Sequence, residues 1–193
     1  MGLKSSFPLG IELKGGSNIS LENQSAENAP RPSDAVIRFA SESDLEVCFS
    51  FDYIRNYENL RTKARKILGQ KISQREIIVA ETARRIIGYL RMNDIVFKPY
   101  LGYIVLEEKY RSQGLGKKML DFLENYLVEE GHDILYSSSQ ADASRSQNWH
   151  RKMGFEECGF IAGFNDRTSE DAPAVGLIGE VYFRKRLGIA RIS

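Results

Sequence analysis

The sequence predicts a mixed α/β domain, and three observations support this fold class. Short β-rich segments and helical segments follow one another as strand, two helices, three strands, helix, strand, helix and two strands. Two of the early strands meet at a tight turn, which predicts an antiparallel hairpin. A long amphipathic helix joins two later strands, and such a crossover favours parallel pairing. The sheet is therefore expected to be antiparallel early in the chain and to include one parallel connection.

Composition excludes several classes of protein. The chain of 193 residues is long enough for one domain with a full core, and its net charge of +1 provides no field for nucleic acid or an anionic membrane. No apolar run approaches the ~20 residues of a membrane span, and the N-terminus lacks a secretory signal pattern. Cys48 and Cys158 match no metal or redox spacing, so free thiols in the cytoplasm and no metal site are expected.

The first 34 residues differ from the remainder. They are rich in Gly, Ser, Asn and Pro and would bury too little apolar surface to offset the entropy of ordering. We expect a mobile N-terminal arm over residues 1–34 and the folded domain over residues 35–193. Alternating apolar residues between Phe7 and Leu13 leave a short docked strand as the alternative.

The first folded segments are a strand over residues 35–39 and two helices. Ser41 and Asp44 have the spacing of a capping box, and Leu45, Cys48 and Phe49 follow at helical spacing. A second helix is predicted over residues 58–68, with Gly69 as its end. Its apolar face would carry Leu60, Ala64, Ile67 and Leu68. Its basic face would be either solvated or in contact with an acidic acceptor.

The middle of the chain predicts a hairpin, a third strand and the longest helix. Strands over residues 77–81 and 85–92 enclose the turn, and Gly88 indicates a bulge or a close approach. Residues 94–99 are predicted as a connection and residues 101–106 as the next strand. The long helix covers residues 114–130, with one apolar stripe and Gly131 at its end. That stripe consists of Leu115, Met119, Phe122, Leu123, Tyr126 and Leu127.

The last third predicts a strand over residues 133–138, a short helix over 143–152 and strands over 155–161 and 178–185. Asp142 is the expected cap of the short helix, and Gly154 its end. The segment 163–176 is long and polar, and loops of this length are often functional. Its acidic residues, Asp166, Glu170 and Asp171, would either attract a cationic amine or be solvated.

The turn between the third strand and the long helix, Arg111 to Lys117, is suited to an anion. Gly114 and Gly116 allow close backbone approach to a ligand, and the helix directs its unpaired N–H groups and positive dipole end at the turn. The chain has neither the G-x-x-x-x-G-K-[ST] nor the G-x-G-x-x-G pattern. Binding of a nucleoside triphosphate or a Rossmann-type dinucleotide is therefore disfavoured.

This turn resembles the R-x-x-G-x-G signature of the GNAT superfamily of acyl-CoA-dependent N-acyltransferases. Val79-Ala80-Glu81 with Gly88 is similar to the family's hairpin, and Lys152-Met153-Gly154-Phe155 to its K-x-G-F segment. The order of elements agrees from about residue 35 to residue 187. The resemblance implies a mostly antiparallel central sheet of about six to seven strands with helices on both faces.

The resemblance implies acetyl-CoA as the cofactor. Its pyrophosphate would lie on the N–H groups of Ser112, Gln113, Gly114, Leu115, Gly116 and Lys117, with charge from Arg111 and Lys117. The pantetheine arm would pair with the backbone of Ile104, Val105 and Leu106, and the N–H near Leu106 would face the thioester oxygen. The simpler interpretations are a core strand at residues 104–106 and a solvated Lys117.

The sequence departs from the family at two catalytic positions. Where many relatives have a tyrosine that protonates the departing thiolate, this chain has His150, which we interpret either as the general acid or as a helix residue packed beside Trp149. Where many relatives have a carboxylate on the cofactor strand, it has Tyr103. Glu81, Asp94 or Tyr103 acting through water are the remaining candidates for the base, as is an acceptor that arrives neutral. Ala143 stands where relatives often have asparagine.

The resemblance implies an enzyme that transfers an acetyl group from acetyl-CoA to a primary amine by direct attack in a ternary complex, with no covalent cysteine. The alternative is a non-catalytic acyl-CoA-binding sensor or interaction module of the same fold. The acceptor would be a small molecule or a peptide, and a homodimer is compatible with the family.

Overall fold

The computed structural model describes residues 34–51, 58–95, 98–158 and 180–188, all within the unit Arg31–Ser193. These residues form the strands β1 (Val36–Phe39), β2 (Ile77–Thr82), β3 (Arg85–Ile95), β4 (Lys98–Leu106), β5 (Ile134–Gln140), β6 (Glu156–Cys158) and β7 (Glu180–Arg186). They also form the α-helices α1 (Leu45–Phe51), α2 (Arg61–Ser73), α3 (Leu115–Glu129) and α4 (Ser144–Lys152). The predicted arm, apart from Asp34, and the predicted loop 163–176 lie outside the described residues.

The strands form one sheet in the order β1-β2-β3-β4-β5-β7-β6. All neighbouring strands are antiparallel except β4 and β5, which are parallel. The crossover between that pair contains α3, as the strand–helix–strand pattern predicts. The predicted mixed, mostly antiparallel sheet with helices on both faces is confirmed.

Helix α3 packs on one face of the sheet. Leu115, Met119, Leu123 and Leu127 recur every four residues and are fully buried, together with Leu120. They contact apolar residues from the central strands, including Ile78, Ile87, Leu90, Leu101 and Leu135. The amphipathic stripe that the sequence predicts is therefore the side of α3 that covers the sheet.

Helices α1 and α2 pack on the opposite face. Cys48 and Phe49 of α1 and Leu68 and Ile72 of α2 join a second apolar cluster. The sheet contributes Ile77 and Val79 of β2, Ile86 and Tyr89 of β3 and the partly buried Tyr103 and Val105 of β4. This cluster covers β2, β3 and the distal half of β4. At the start of α1, the carboxylate of Asp44 accepts the backbone N–H of Ser41 at 2.7 Å, as the predicted capping box requires.

The predicted end of the second helix at Gly69 is wrong. Helix α2 continues to Ser73, and Arg75 rather than Gly69 has the left-handed conformation that follows it, with φ of 58°. The reason is packing, because Ile72 lies one turn beyond Leu68 and is buried with it. The predicted apolar face is also partly wrong, since Leu60 and Ile67 are 38% and 43% exposed.

The prediction of a connection over residues 94–99 is also wrong. Strands β3 and β4 remain paired as far as Ile95 and Lys98. The pairing skips Gly102, where a Cβ would approach the Asn93 side chain to 2.3 Å, so β4 carries a bulge there. The close approach predicted at Gly88 is confirmed, since a Cβ there would lie 2.3 Å from Cδ2 of Leu106.

The remaining turns and helix ends agree with the sequence-based predictions, with one exception. Ala83 and Arg84 both have positive φ in the two-residue turn of the β2–β3 hairpin. Gly131 and Gly154 also have positive φ at the ends of α3 and α4. The predicted cap Asp142 is wrong, because Ala143 occupies the N-cap position of α4 and no side chain caps that helix.

Candidate active site

The site is organised around the separation of β4 and β5. These strands pair only at Tyr100 with Tyr136 and at Leu101 with Ser137. Beyond these pairs, β4 continues to Leu106 and β5 to Gln140 without pairing to each other. The distal part of β4, about 17 Å from Leu101 to Leu106, therefore borders a gap in the sheet.

Peptide groups on this stretch of β4 alternate in direction. The N–H of Glu107 donates to the carbonyl of Ile87 beyond the end of the β3–β4 ladder, so every second residue from Glu107 back to Tyr103 directs its peptide groups at β3. The N–H and C=O of Ile104 and Leu106 therefore point away from β3, toward the gap. The peptide groups of Val105 point to β3, and its side chain packs in the second apolar cluster.

The predicted anion-binding turn lies at the open end of the gap. Ser112 and Gly114 have φ of 60° and 83°, and Gly114 is the N-cap of α3. The guanidinium Nε of Arg111 donates to the carbonyl of Leu106 at 2.8 Å, and the Gln113 side chain donates to the carbonyl of Lys109 at 2.6 Å. The first contact anchors the turn to the end of β4, and the second lies within the connection between β4 and α3. The first N–H groups of α3 have no partner within the helix.

Gly116 connects the turn to the walls of the gap. A Cβ at this position would be in van der Waals contact with three side chains. It would lie 3.5 Å from Nε1 of Trp149, 3.9 Å from Cδ1 of Leu106 and 4.0 Å from Cδ1 of Ile104. Trp149 of α4 and the two β4 residues therefore converge on Gly116. The sequence did not predict that Trp149 forms part of the wall of the gap. Lys117 extends away from this point, and its Nζ bonds the carboxylate of Asp121 at 2.6 Å, which raises the pKa of Lys117.

His150 is 4% exposed and lies where the gap begins. Its Nδ1 is 2.9 Å from the carbonyl of Ser146, so Nδ1 carries a proton, and its Nε2 is 2.8 Å from the hydroxyl of Ser137. The ring stacks on Phe183 at a centroid distance of 4.6 Å and meets Trp149 and Phe155 edge-on. Burial lowers the pKa of His150, opposed by the hydrogen bond to Ser146. The neutral imidazole is therefore the dominant form at neutral pH.

The candidate bases from the sequence lie in different places. Glu81 accepts the Nε–H of Arg38 at 2.7 Å, on the strand pair farthest from the gap. The hydroxyl of Tyr103 lies 3.4 Å from the carbonyl of Phe51, which is a weak contact. The side chain of Asp94 lies outside the described part of the chain.

Sequence reasoning missed a second polar group beside the gap. The hydroxyl of Tyr100 donates to Oγ of Ser138 at 2.5 Å, and the Ser138 hydroxyl donates to the carboxylate of Glu180 at 2.9 Å. Ser138 is the first residue of β5 after its last pair with β4. The only sequence signal was the run of serines at the end of β5, since nothing in the chain pattern aligns Glu180 with them.

No group of described residues has the arrangement of a metal site. Cys48 and Cys158, both described, are free thiols. Across those same ranges, no helix is long and apolar enough to cross a bilayer.

A mixed sheet that opens beside β4, next to the N-terminus of a helix, is the fold that the family resemblance implies. The model of the acetyltransferase (GNAT) family matches residues 42–155, more than half of the chain. The protein therefore belongs to the acetyltransferase (GNAT) family, and acetyl transfer is the chemistry of that family.

Solved structures share this fold at low sequence identity. The PaiA N-acetyltransferase of Thermoplasma acidophilum, in complex with coenzyme A, is 16% identical, with a TM-score of 0.60 over 79% of this chain and 98% of that one. The ribosomal-protein-alanine N-acetyltransferase of Brucella melitensis is 21% identical, with a TM-score of 0.59 over 79% and 99%. The ribosomal-protein-S18-alanine N-acetyltransferase of Escherichia coli is 15% identical, with a TM-score of 0.58 over 81% and 96%. No curated protein matches the sequence.

Proposed function

We propose that this protein transfers the acetyl group of acetyl-CoA to a primary amine by direct attack in a ternary complex. The observation that carries the proposal is the gap beside β4, which has peptide groups along one edge and an anion-binding turn at its open end. Coenzyme A needs both features, because its pantetheine arm carries amides and its pyrophosphate is an anion. The family and a coenzyme A complex of the same fold support acetyl-CoA as the donor.

The residues present fit this cofactor. The N–H groups from Ser112 to Lys117 would hold the pyrophosphate, and Gly116 leaves room for it because no side chain enters the gap there. The peptide groups of Ile104 and the N–H of Leu106 face the gap and would hold the pantetheine amides, while the Leu106 carbonyl accepts from Arg111. With the pyrophosphate at the turn, the thioester would lie farther along β4, toward the closed end of the gap. The bound cofactor supplies an activated thioester carbonyl. Arg111 holds the turn at the end of β4 and adds positive charge.

His150 remains our candidate for protonation of the departing thiolate, acting through Ser137. Its support is position, since Nε2 contacts the serine at which β4 and β5 separate. Because Nδ1 carries the proton of the neutral ring, Nε2 can pass a proton to Ser137 only from the imidazolium, and the lowered pKa of His150 restricts that form to acidic pH. In a His150→Phe variant, turnover that loses its pH dependence would support proton donation. A uniform loss with the same pH dependence would support a positioning role.

Two measurements test the proposed function. Calorimetry with coenzyme A should show binding to the wild type and at least a tenfold weaker binding to Gly116→Val, whose side chain enters the gap. Asn125→Val adds the same side chain to an exposed position of α3 and should bind normally. Thiol release from acetyl-CoA should then be measured with a panel of polyamines, aminoglycosides, amino acids and peptides. Binding without turnover on any amine would favour the sensor alternative.

A further inference from the structure

The polar group of Tyr100, Ser138 and Glu180 lies on the face of the sheet that α3 and α4 do not cover. Strand alternation places Ser137 and Phe183 toward α4, where His150 contacts both. Ser138 and Tyr182 are cross-strand partners, as are Gln140 and Glu180, so all four lie on the opposite face. The amine acceptor would therefore meet these residues without displacing the helices that build the cofactor gap.

The hydrogen bonds give Glu180 a defined orientation. The phenol of Tyr100 donates to Ser138, and Ser138 uses its only proton to donate to Oε2 of Glu180. The hydrogen bonds that run from Tyr100 through Ser138 thus end at Oε2 and do not use Oε1 of Glu180. The anchoring serine is adjacent to Ser137, the last residue of β5 that pairs with β4. The carboxylate is thus held at the closed end of the gap, opposite the end that carries the anion-binding turn.

The groups around Glu180 set the charge of this surface. Tyr182 lies two residues from Glu180 on the same strand. Burial raises the pKa of Tyr182, and the negative charge of Glu180 raises it further. Tyr182 is thus neutral at physiological pH. The titratable residues that share this surface, by strand alternation or by the contacts above, are Lys98 and Tyr100 of β4, Tyr136 of β5, Glu156 and Cys158 of β6, and Tyr182, Arg184 and Arg186 of β7.

We propose that Glu180, oriented by Ser138 and Tyr100, is the general base that deprotonates the amine acceptor. The inference rests on the proposed function. The acceptor arrives as R–NH₃⁺ and gives one proton to the Glu180 carboxylate, leaving R–NH₂ and Glu180–COOH. The free electron pair on nitrogen then forms the C–N bond to the acetyl carbonyl as the C–S bond breaks. The nitrogen loses its second proton and the departing thiolate gains one, which gives the amide R–NH–CO–CH₃ and the free thiol, and Glu180–COOH returns its proton to solvent. Glu180 is the catalytic residue, and Ser138 and Tyr100 are positioning residues.

The test compares Glu180→Gln with Glu156→Gln, the same change at an exposed carboxylate on β6. With a strongly basic amine at pH 7, Glu180→Gln should lower kcat/KM by about 10²–10⁴-fold. With a weakly basic analogue that is already neutral at pH 7, the loss should be at least tenfold smaller. The pH profile of the variant should shift toward the pKa of the free amine, and calorimetry should show coenzyme A binding within twofold of wild type. Glu156→Gln should match wild type throughout.

Equal losses for both amines, or an unchanged pH profile, would overturn the role of Glu180. Ser138→Ala provides a second variant that keeps the carboxylate and removes its anchor. This variant should have a kcat about tenfold lower for the strongly basic amine and unchanged coenzyme A binding. A kcat equal to that of the wild type would contradict the proposal. This result can be obtained even if Glu180→Gln does not fold. Failure of the proposed function is distinct, because wild-type protein would then bind coenzyme A and acetylate no amine.

Discussion

The hydroxyl of Ser137 lies 2.8 Å from Nε2 of His150, at the last position where β4 and β5 pair. The same hydroxyl is 3.0 Å from the carbonyl of Leu101, its partner residue on β4. A serine hydroxyl has one proton, so with neutral His150 it donates to Nε2 or to Leu101. This contact connects α4 to the point where the gap opens.

Removal of the Ser137 hydroxyl should destabilise the protein. Ser137→Ala leaves Nε2 of a buried histidine without a partner, and we expect a loss of about 1–3 kcal/mol in the free energy of unfolding. Urea denaturation at pH 7 would measure it. Ser139→Ala is the matched control, because Ser139 is buried on the same face of β5 but makes only a 3.5 Å contact. Equal effects in the two variants would contradict the importance of the His150 contact.

The stability of the protein should depend on the protonation of His150. Its folded-state pKa lies below the ordinary value of 6.5 because burial disfavours the imidazolium. Between the two values the unfolded state binds more protons, so the stabilising contribution is present above about pH 6.5 and is lost as the pH falls below it. Denaturation curves at pH 5 and 7 should therefore differ less for His150→Phe than for wild type. An equal difference in both proteins would assign the pH dependence to other groups.

Two glycines should respond to alanine with opposite sign. Gly88→Ala places a Cβ 2.3 Å from Leu106 Cδ2 and 3.1 Å from the carbonyl of Val105, so we expect a loss of about 1–3 kcal/mol. Gly69→Ala lies inside α2 with no atom within 4 Å, so it should stabilise the protein by about 0.5–1 kcal/mol. Thermal unfolding of both variants tests the pair. A stabilising Gly88→Ala would mean that β3 and β4 are less closely packed than described.

Acid should weaken the link between β1 and the start of α1. Arg38 donates to Asp44 at 2.7 Å, and this guanidinium, with smaller contributions from the N–H and hydroxyl of Ser41, lowers the pKa of Asp44 from 3.8 to about 2 against the opposing effect of burial. The contribution is present above about pH 4 and is lost as the pH falls toward 2. Asp44→Asn should cost about 1–2 kcal/mol at pH 7 and less at pH 2. The control Glu42→Gln removes an exposed carboxylate from the same turn and should have little effect.

The errors in the sequence interpretation share a cause. Gly69 is a frequent helix terminator, but burial of Ile72 outweighs its helix cost of about 1 kcal/mol. Residues 94–99 are predicted as a connection, yet Pro99 lies in β4 opposite Asp94. Met92, two residues before Asp94 on β3, donates its N–H to the carbonyl of Glu76 and not to β4. By strand alternation Asp94 also faces away from β4, so its pair with Pro99 needs no N–H from β4. In both cases a local preference was outweighed by contacts with residues distant in the chain.

The sequence by itself determined the order of the elements, the buried stripe of α3, the hairpin and the glycine turn that opens α3. These features depend on residues within a few positions of one another, where periodicity, glycine conformation and unpaired N–H groups act directly. Only the tertiary structure decided where β4 and β5 separate, that His150 is buried against Ser137, and that Tyr100, Ser138 and Glu180 meet. Tyr100 and Glu180 lie 38 and 42 residues from Ser138. Their contact follows from strand register, which is set by packing across the whole sheet.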